Sequence, residues 1–237
     1  MPVVKAVIFD LDGTLLNRDS TLMKFIIDQH RRLDNIVGHI NQSEYMTRFI
    51  ELDKHGYVWK DKVYQQLITE FDIKGMSWQQ LLDDYLAHFP AHCVPFPHLI
   101  PMLDEVTSSG IRLGMITNGY TAFQSSNIRA LGIESYFDEI LISEKEELRK
   151  PDKQIFERSL QRLGVRAEDA IFVGDHPLSD VEASAKAGMI SVWKRNPQWE
   201  TADAHFVIDE LDEIVGLIRS LKEQSEFGIN SGFCPKL

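Results

Sequence analysis

The stretch Val3 to Leu16, VVKAVIFDLDGTLL, constrains this chain more than any other. Val3 to Phe9 is apolar except for Lys5, a pattern that fits a strand buried on both faces of a parallel sheet. The strand delivers Asp10 and Asp12 into a turn eased by Gly13, with Thr14 following. Two carboxylates two residues apart at a strand end are costly to hold together unless a cation or a proton shares their charge. Asp and Gly also populate ordinary turns. The carboxyl edge of an open α/β sheet is, however, where ligands usually bind, and that sets the expectation for the rest of the chain.

After Leu16 the pattern turns helical and stays so to about Pro97. Leu22, Phe25, Ile26, Gln29 and Leu33 mark one helix, and Tyr45, Phe49, Ile50 and Leu52 a second entered after Asn41. Val63, Leu67, Ile68 and Phe71 mark a third. Ser77 and Gln80 have capping-box spacing ahead of a fourth through Leu81, Leu82, Tyr85, Leu86 and Phe89. Four helices without a strand exceed an ordinary crossover, so residues 17–96 are expected to form an inserted helical domain. Its aromatic residues, at helical spacing, are read as packing.

From residue 98 onward strands alternate with helices. Expected strands cover Ile111–Ile116, Phe137–Ile142, Ala170–Val173, Met189–Trp193 and His205–Ile208, the last at an edge. Expected helices cover His98–Ser108, Tyr120–Leu131, Asp152–Leu163, Ser179–Ala187 and Leu211–Leu221. That alternation implies an α/β fold, a Rossmann-like parallel sheet core made of residues 1–16 and 97–225. The segment 226–237, with Gly228, Gly232 and Pro235, is expected to be loosely ordered.

Net charge is −11, and no long Lys/Arg cluster interrupts it. Nucleic-acid binding and attachment to an anionic membrane are therefore not expected, whereas a small anionic substrate remains compatible with a few local cations. Cys93 and Cys234 are at neither metal-ligand nor redox spacing. The start MPVVKAVIFD is apolar for too few residues to serve as a signal or a membrane span. A reducing, cytoplasmic setting is the expectation.

Four strand ends carry polar clusters: Asp10/Asp12, Thr117/Asn118, Lys150, and Asp175/Asp180. In a parallel sheet these ends share one edge. Asp10-Leu11-Asp12-Gly13-Thr14 resembles the first motif of the haloacid dehalogenase-like hydrolases, a superfamily made up mostly of phosphatases. Thr117-Asn118-Gly119 is similar to the second motif, Arg149-Lys150-Pro151-Asp152 to the third, and Gly174-Asp175-His176-Pro177-Leu178-Ser179-Asp180 to the fourth. The resemblance covers nearly the whole core in the family's order, and the insertion after the first motif looks like its helical cap.

The resemblance implies a Mg²⁺-dependent phosphatase acting on a small phosphorylated metabolite. Asp10 would be the nucleophile that forms an aspartyl-phosphate, and Asp12 the general acid and then base. Mg²⁺ would take an Asp10 oxygen, the Asp12 main-chain carbonyl, Asp175 and waters, with Asp180 in support. Thr117 and Asn118 would donate to the phosphoryl oxygens and Lys150 would balance their charge. His176 is read as structural or solvated. Asn17 and Arg18 lie where the family carries a mobile turn, and a flap role is conceivable there.

Two other functions share part of this chemistry. A haloacid dehalogenase also uses an aspartate nucleophile, but its members typically lack the metal carboxylates and the second aspartate of the first motif, all kept here. A phosphorylated receiver-like signalling module also joins aspartate, Mg²⁺, a hydroxyl residue and a lysine. Receivers lack an inserted cap, and a persistent acyl-phosphate sits badly with a base at Asp12.

Overall fold

Six runs of apolar residues form one parallel sheet. The computed structural model describes residues 4–226. β1 (Ala6–Phe9) is central, between β2 (Arg112–Thr117) and β4 (Ala170–Gly174). β3 (Glu139–Ile142) lies outside β2, and β5 (Ile190–Lys194) and β6 (Phe206–Ile208) lie beyond β4. Phe9 is level with Met115 on one side and Val173 on the other. The residues that follow these three strands therefore leave the sheet at one edge.

β1 is fully buried on both faces, as its unbroken apolar run requires. On one face Ala6, Ile8, Ile116, Leu141 and Phe172 pack with Ile155, Phe156, Leu160 and Leu163 of the helix Lys153–Leu163. Asp152 caps that helix by accepting from the Gln154 amide at 2.9 Å, and Gly164 ends it. The Phe156 and Phe172 rings meet edge to face with centroids 5.1 Å apart.

The chain divides into two compact units, residues up to Leu15 together with those from Pro95 onward, and residues Leu16–Val94. The second unit holds the helices Arg18–Arg32, Gln42–Asp53, Lys60–Glu70 and Trp78–His88. Ser77 and Gln80 make the reciprocal capping box. The aromatic residues Phe25, Tyr45, Phe49, Tyr64, Tyr85 and Phe89 fill its core. Gln29, buried among them, donates to the Tyr64 hydroxyl and to Asp84, each at 2.9 Å. Asn17 and Arg18 do not form a free turn. Asn17 caps the first helix by accepting from the Ser20 amide, which starts the helix ahead of its first apolar residue, and Arg18 donates to buried Asp53 at 2.9 Å.

Two further elements differ from the sequence pattern. The helix after β4 starts at Pro177 and runs as a π-helix to Glu182, with the Val181 amide reaching back to the His176 carbonyl, before Ala183–Lys186. The last helix, Glu213–Glu226, extends past Leu221. Val3, at the expected strand start, and the expected loose tail beyond Glu226 lie outside the described residues. No helix among the described residues is long and apolar enough to cross a membrane.

Phe156 is fully buried, so its replacement leaves a cavity between helix and sheet. Phe156→Ala should cost about 3–5 kcal/mol of unfolding free energy, measurable by urea denaturation. A change within ~0.5 kcal/mol would show that the helix is not held on the sheet as described.

Candidate active site

Every cluster that the sequence places at a strand end belongs to the sheet unit, and its geometry is set from β1 outward. The Asp10 amide extends the ladder by donating to the Val173 carbonyl at 2.9 Å, which fixes Asp10 at the edge. Gly13 has φ +85°, and a Cβ built there would lie 2.3 Å from Asp175 Oδ2. Only glycine allows the first loop to turn and to pass so close to the fourth.

Lys150 Nζ donates to Asp10 Oδ1 at 2.5 Å and to Asp180 Oδ1 at 2.6 Å, with all three side chains buried. Its main chain is held separately. Asn118 Nδ2 donates to the Lys150 carbonyl and the Lys150 amide donates to Asn118 Oδ1, both at 2.9 Å. The Asn118 side chain thus locks the lysine loop in place, a role the motif alone does not reveal. Thr117 is buried, and its hydroxyl accepts from Gln124 Nε2 at 2.6 Å.

Asp175 is tied down from two sides. Asn196 Nδ2 donates to its Oδ2 at 2.6 Å, and Trp193 Nε1 donates to its main-chain carbonyl at 2.8 Å. Asp180 Oδ2 accepts from the His176 amide at 3.1 Å. His176 Nδ1 accepts from the Leu178 and Ser179 amides, and its ring lies 4.8 Å from that of Trp199. These contacts use His176 to shape the loop, and burial lowers its pKa. The sequence reading missed Gln124 and Asn196. Neither carries a signal of its own, being a glutamine in a polar first turn and an asparagine in a loop.

Asp10, Asp175 and Asp180 each offer an oxygen within 4.8 Å of the others. Burial raises the Asp10 pKa well above the usual carboxylate range despite Lys150, with Asp180 and Asp175 adding repulsion. Burial and Asp180 push Asp175 up to about 7. Burial alone would lower the Lys150 pKa, but Asp10 and Asp180 overcome it and raise the value, so the lysine is charged. One ammonium against three buried carboxylates leaves negative charge uncompensated. Asp180 commits both oxygens to neighbours, while Asp10 and Asp175 each commit one to a side-chain donor. An all-oxygen set with spare acceptor capacity suits a hard divalent cation. The residues fit a metal.

The family described as haloacid dehalogenase-like hydrolase matches residues 7–194. A glyceraldehyde 3-phosphate phosphatase from Methanocaldococcus jannaschii is 28% identical over 93% of this chain and 100% of its own. Among solved structures, a phosphatase of the same superfamily from Thermococcus onnurineus is similar with TM-score 0.65 and 27% identity, over 91% of this chain and 98% of that one. A 2-haloacid dehalogenase from Pseudomonas syringae pv. Tomato is similar with TM-score 0.62 and 26% identity, over 92% of this chain and 99% of its own.

The raised carboxyl groups set a sign for the pH dependence of stability. A carboxyl whose folded pKa lies above its unfolded value stabilises the fold at low pH and loses that contribution as pH rises through the folded pKa. For Asp175, at about 7 when folded, the loss runs from about pH 4 to pH 7 and is complete above that. The metal-free protein should therefore melt at lower temperature at about pH 8 than at about pH 5, and a divalent cation should raise the midpoint more at the higher pH. Asp175→Asn should flatten both effects in differential scanning calorimetry. Equal slopes in the variant and the parent would contradict this account of the site.

Proposed function

The chain belongs to the haloacid dehalogenase-like hydrolases and is a phosphoric monoester hydrolase of that family; we propose that it cleaves small phosphate monoesters through an aspartyl-phosphate at Asp10. The observation that carries this reading is Lys150 Nζ held between Asp10 and Asp180, with Asp175 beside them and Asp12 two residues on. A phosphate monoester is among the slowest substrates to hydrolyse unaided, so a positioned nucleophile must act together with charge neutralisation.

Asp10 attacks phosphorus through a carboxylate oxygen, and the P–O bond to the alcohol breaks as the acyl-phosphate forms. Asp12 gives its proton to the departing alkoxide. It then takes a proton from water, whose oxygen attacks phosphorus, breaks the acyl-phosphate bond and frees Asp10. Lys150 favours the ionised form of Asp10 and holds it in place, while balancing charge on the phosphoryl oxygens. The Thr117 hydroxyl donates to one of those oxygens. The Asn118 side chain keeps the lysine loop in position, and its main-chain amide would donate to a phosphoryl oxygen. Asp10, Asp175 and the Asp12 carbonyl, with Asp180 in support, would hold Mg²⁺, which would supply Lewis-acid neutralisation of the charge between nucleophile and phosphate.

The dehalogenase alternative has no phosphate charge to neutralise, and Asp12, Asp175 and Asp180 would be superfluous in it. The helical unit Leu16–Val94 is read as a cap that governs which ester is admitted. The substrate is a small phosphorylated metabolite, and the relative acting on glyceraldehyde 3-phosphate points to primary alkyl esters. Such an ester gives a poor leaving group, which is what makes a proton donor at Asp12 necessary. The net charge of −11 supports a partner other than nucleic acid, and the spacing of the cysteines supports a reducing, cytoplasmic setting.

The test separates the two steps. p-Nitrophenolate departs readily without a proton, whereas attack by water on the acyl-phosphate needs a base whichever ester was used. Rapid mixing of Asp12→Ala with p-nitrophenyl phosphate and Mg²⁺ should give a burst of p-nitrophenol near one per site, followed by turnover slowed ~10²–10⁴-fold. Folded Asp10→Asn should give neither phase. Retained turnover in Asp10→Asn would rule out the covalent mechanism. Loss of burst and steady state by one common factor in Asp12→Ala would assign Asp12 to the metal or the fold.

A further inference from the structure

Gln124 is almost wholly buried at the start of the helix Thr121–Ala130 and makes more contacts with the site than any helix pattern calls for. Its Nε2 lies 2.7 Å from Asp12 Oδ2, 2.6 Å from Thr117 Oγ1 and 3.4 Å from the Asn118 carbonyl. An amide nitrogen has two hydrogens, so the two short contacts take both. The amide cannot be reversed without cost. Asn127 Nδ2 donates to Gln124 Oε1 at 3.2 Å, and reversal would turn that oxygen onto the Asp12 carboxylate.

The backbone makes room for this arrangement. A Cβ at Gly119 would lie 2.8 Å from Gln124 Cγ, so the glycine after Thr117-Asn118 is where the glutamine side chain folds back over the strand end. A buried side chain wedged in this way has few rotamers left to it.

We propose that Gln124 is a positioning residue that orients both Asp12 and Thr117 for phosphoryl transfer. With Oδ2 of Asp12 accepting from the amide, the exchangeable proton is confined to Oδ1, the oxygen left for the leaving group and the attacking water. With Thr117 Oγ1 accepting from the same amide, its own hydrogen points away from Gln124 and is available to a phosphoryl oxygen. One amide thus sets a proton donor for the leaving group and a hydrogen-bond donor for the transferred group. The inference rests on the phosphatase reading above.

Gln124→Met keeps the length of the side chain and removes both donors. Under single-turnover conditions, with enzyme in excess, release of the alcohol from a primary alkyl phosphate should slow ~10²-fold, the usual loss for a general acid. Release of p-nitrophenolate, which needs no proton, should fall at least ~10-fold less, through Thr117 alone. The melting temperature and KM should stay near those of the parent. In an Asp12→Ala background the same substitution should add no more on the alkyl ester than the Thr117 share read with p-nitrophenyl phosphate, because the Asp12 share is already lost. Gln124→Glu, which keeps volume and the acceptor for Asn127, should show the same leaving-group dependence and carries the comparison if the methionine variant does not fold.

Equal loss on both esters, no loss in a folded variant, or a fully additive loss with Asp12→Ala would overturn the positioning role. If the parent turns over in a manner that depends on Asp10 while any of these holds, only this inference falls. Turnover that survives Asp10→Asn would instead overturn the phosphatase reading, and this inference with it.

Discussion

The Lys150 ammonium between Asp10 and Asp180 is the interaction on which the site depends. Burying three carboxylates at one sheet edge is unfavourable, and breaking a buried pair by removing one partner typically costs about 3–5 kcal/mol. A single lysine does not balance the cluster, and burial, with repulsion between the carboxylates added to it, raises Asp10 and Asp175 above the usual carboxylate range. The same deficit makes the edge receptive to a hard cation. A cation bound there would offset the burial and repulsion that disfavour the ionised Asp10.

Topology brings the parts together. β1 sits at the centre of the sheet with β2 and β4 as neighbours, so loops far apart in sequence leave the sheet side by side. Each loop is then tied to another by a specific contact. The first and fourth meet where Gly13 passes Asp175. The second and third are joined by the paired hydrogen bonds between the Asn118 side chain and the Lys150 main chain. Asn196 and Trp193, from the end of β5, secure Asp175. The reacting groups are held by rigid strand ends and by one another, which is what catalysis by positioning demands.

What could be read in the sequence follows from which signals are local. The apolar run before Asp10, the stops at glycine and the Ser77/Gln80 box are local patterns, and the structure places a central strand, helix ends and a capping box there. Element starts were harder to read, because Asn17 caps its helix ahead of the first apolar residue. The helix expected over Ser179–Ala187 begins earlier, as a π-helix at Pro177–Glu182, since the His176 side chain and carbonyl take the amides that follow. The direction of the Asn118 side chain and the presence of Gln124 and Asn196 were not legible at all. Each depends on contacts between loops, and nothing in a polar helix turn or an Asn-Pro loop announces them.

The central claim is that Asp10 becomes covalently phosphorylated, and chemical trapping tests it most directly. Acid quenching during turnover of a phosphate monoester, followed by borohydride reduction, converts an aspartyl-phosphate to homoserine. Peptide mapping by mass spectrometry should find homoserine at position 10, in amounts that grow when Asp12 is replaced by alanine. Homoserine at another aspartate, or none at any position while turnover proceeds, would contradict the account.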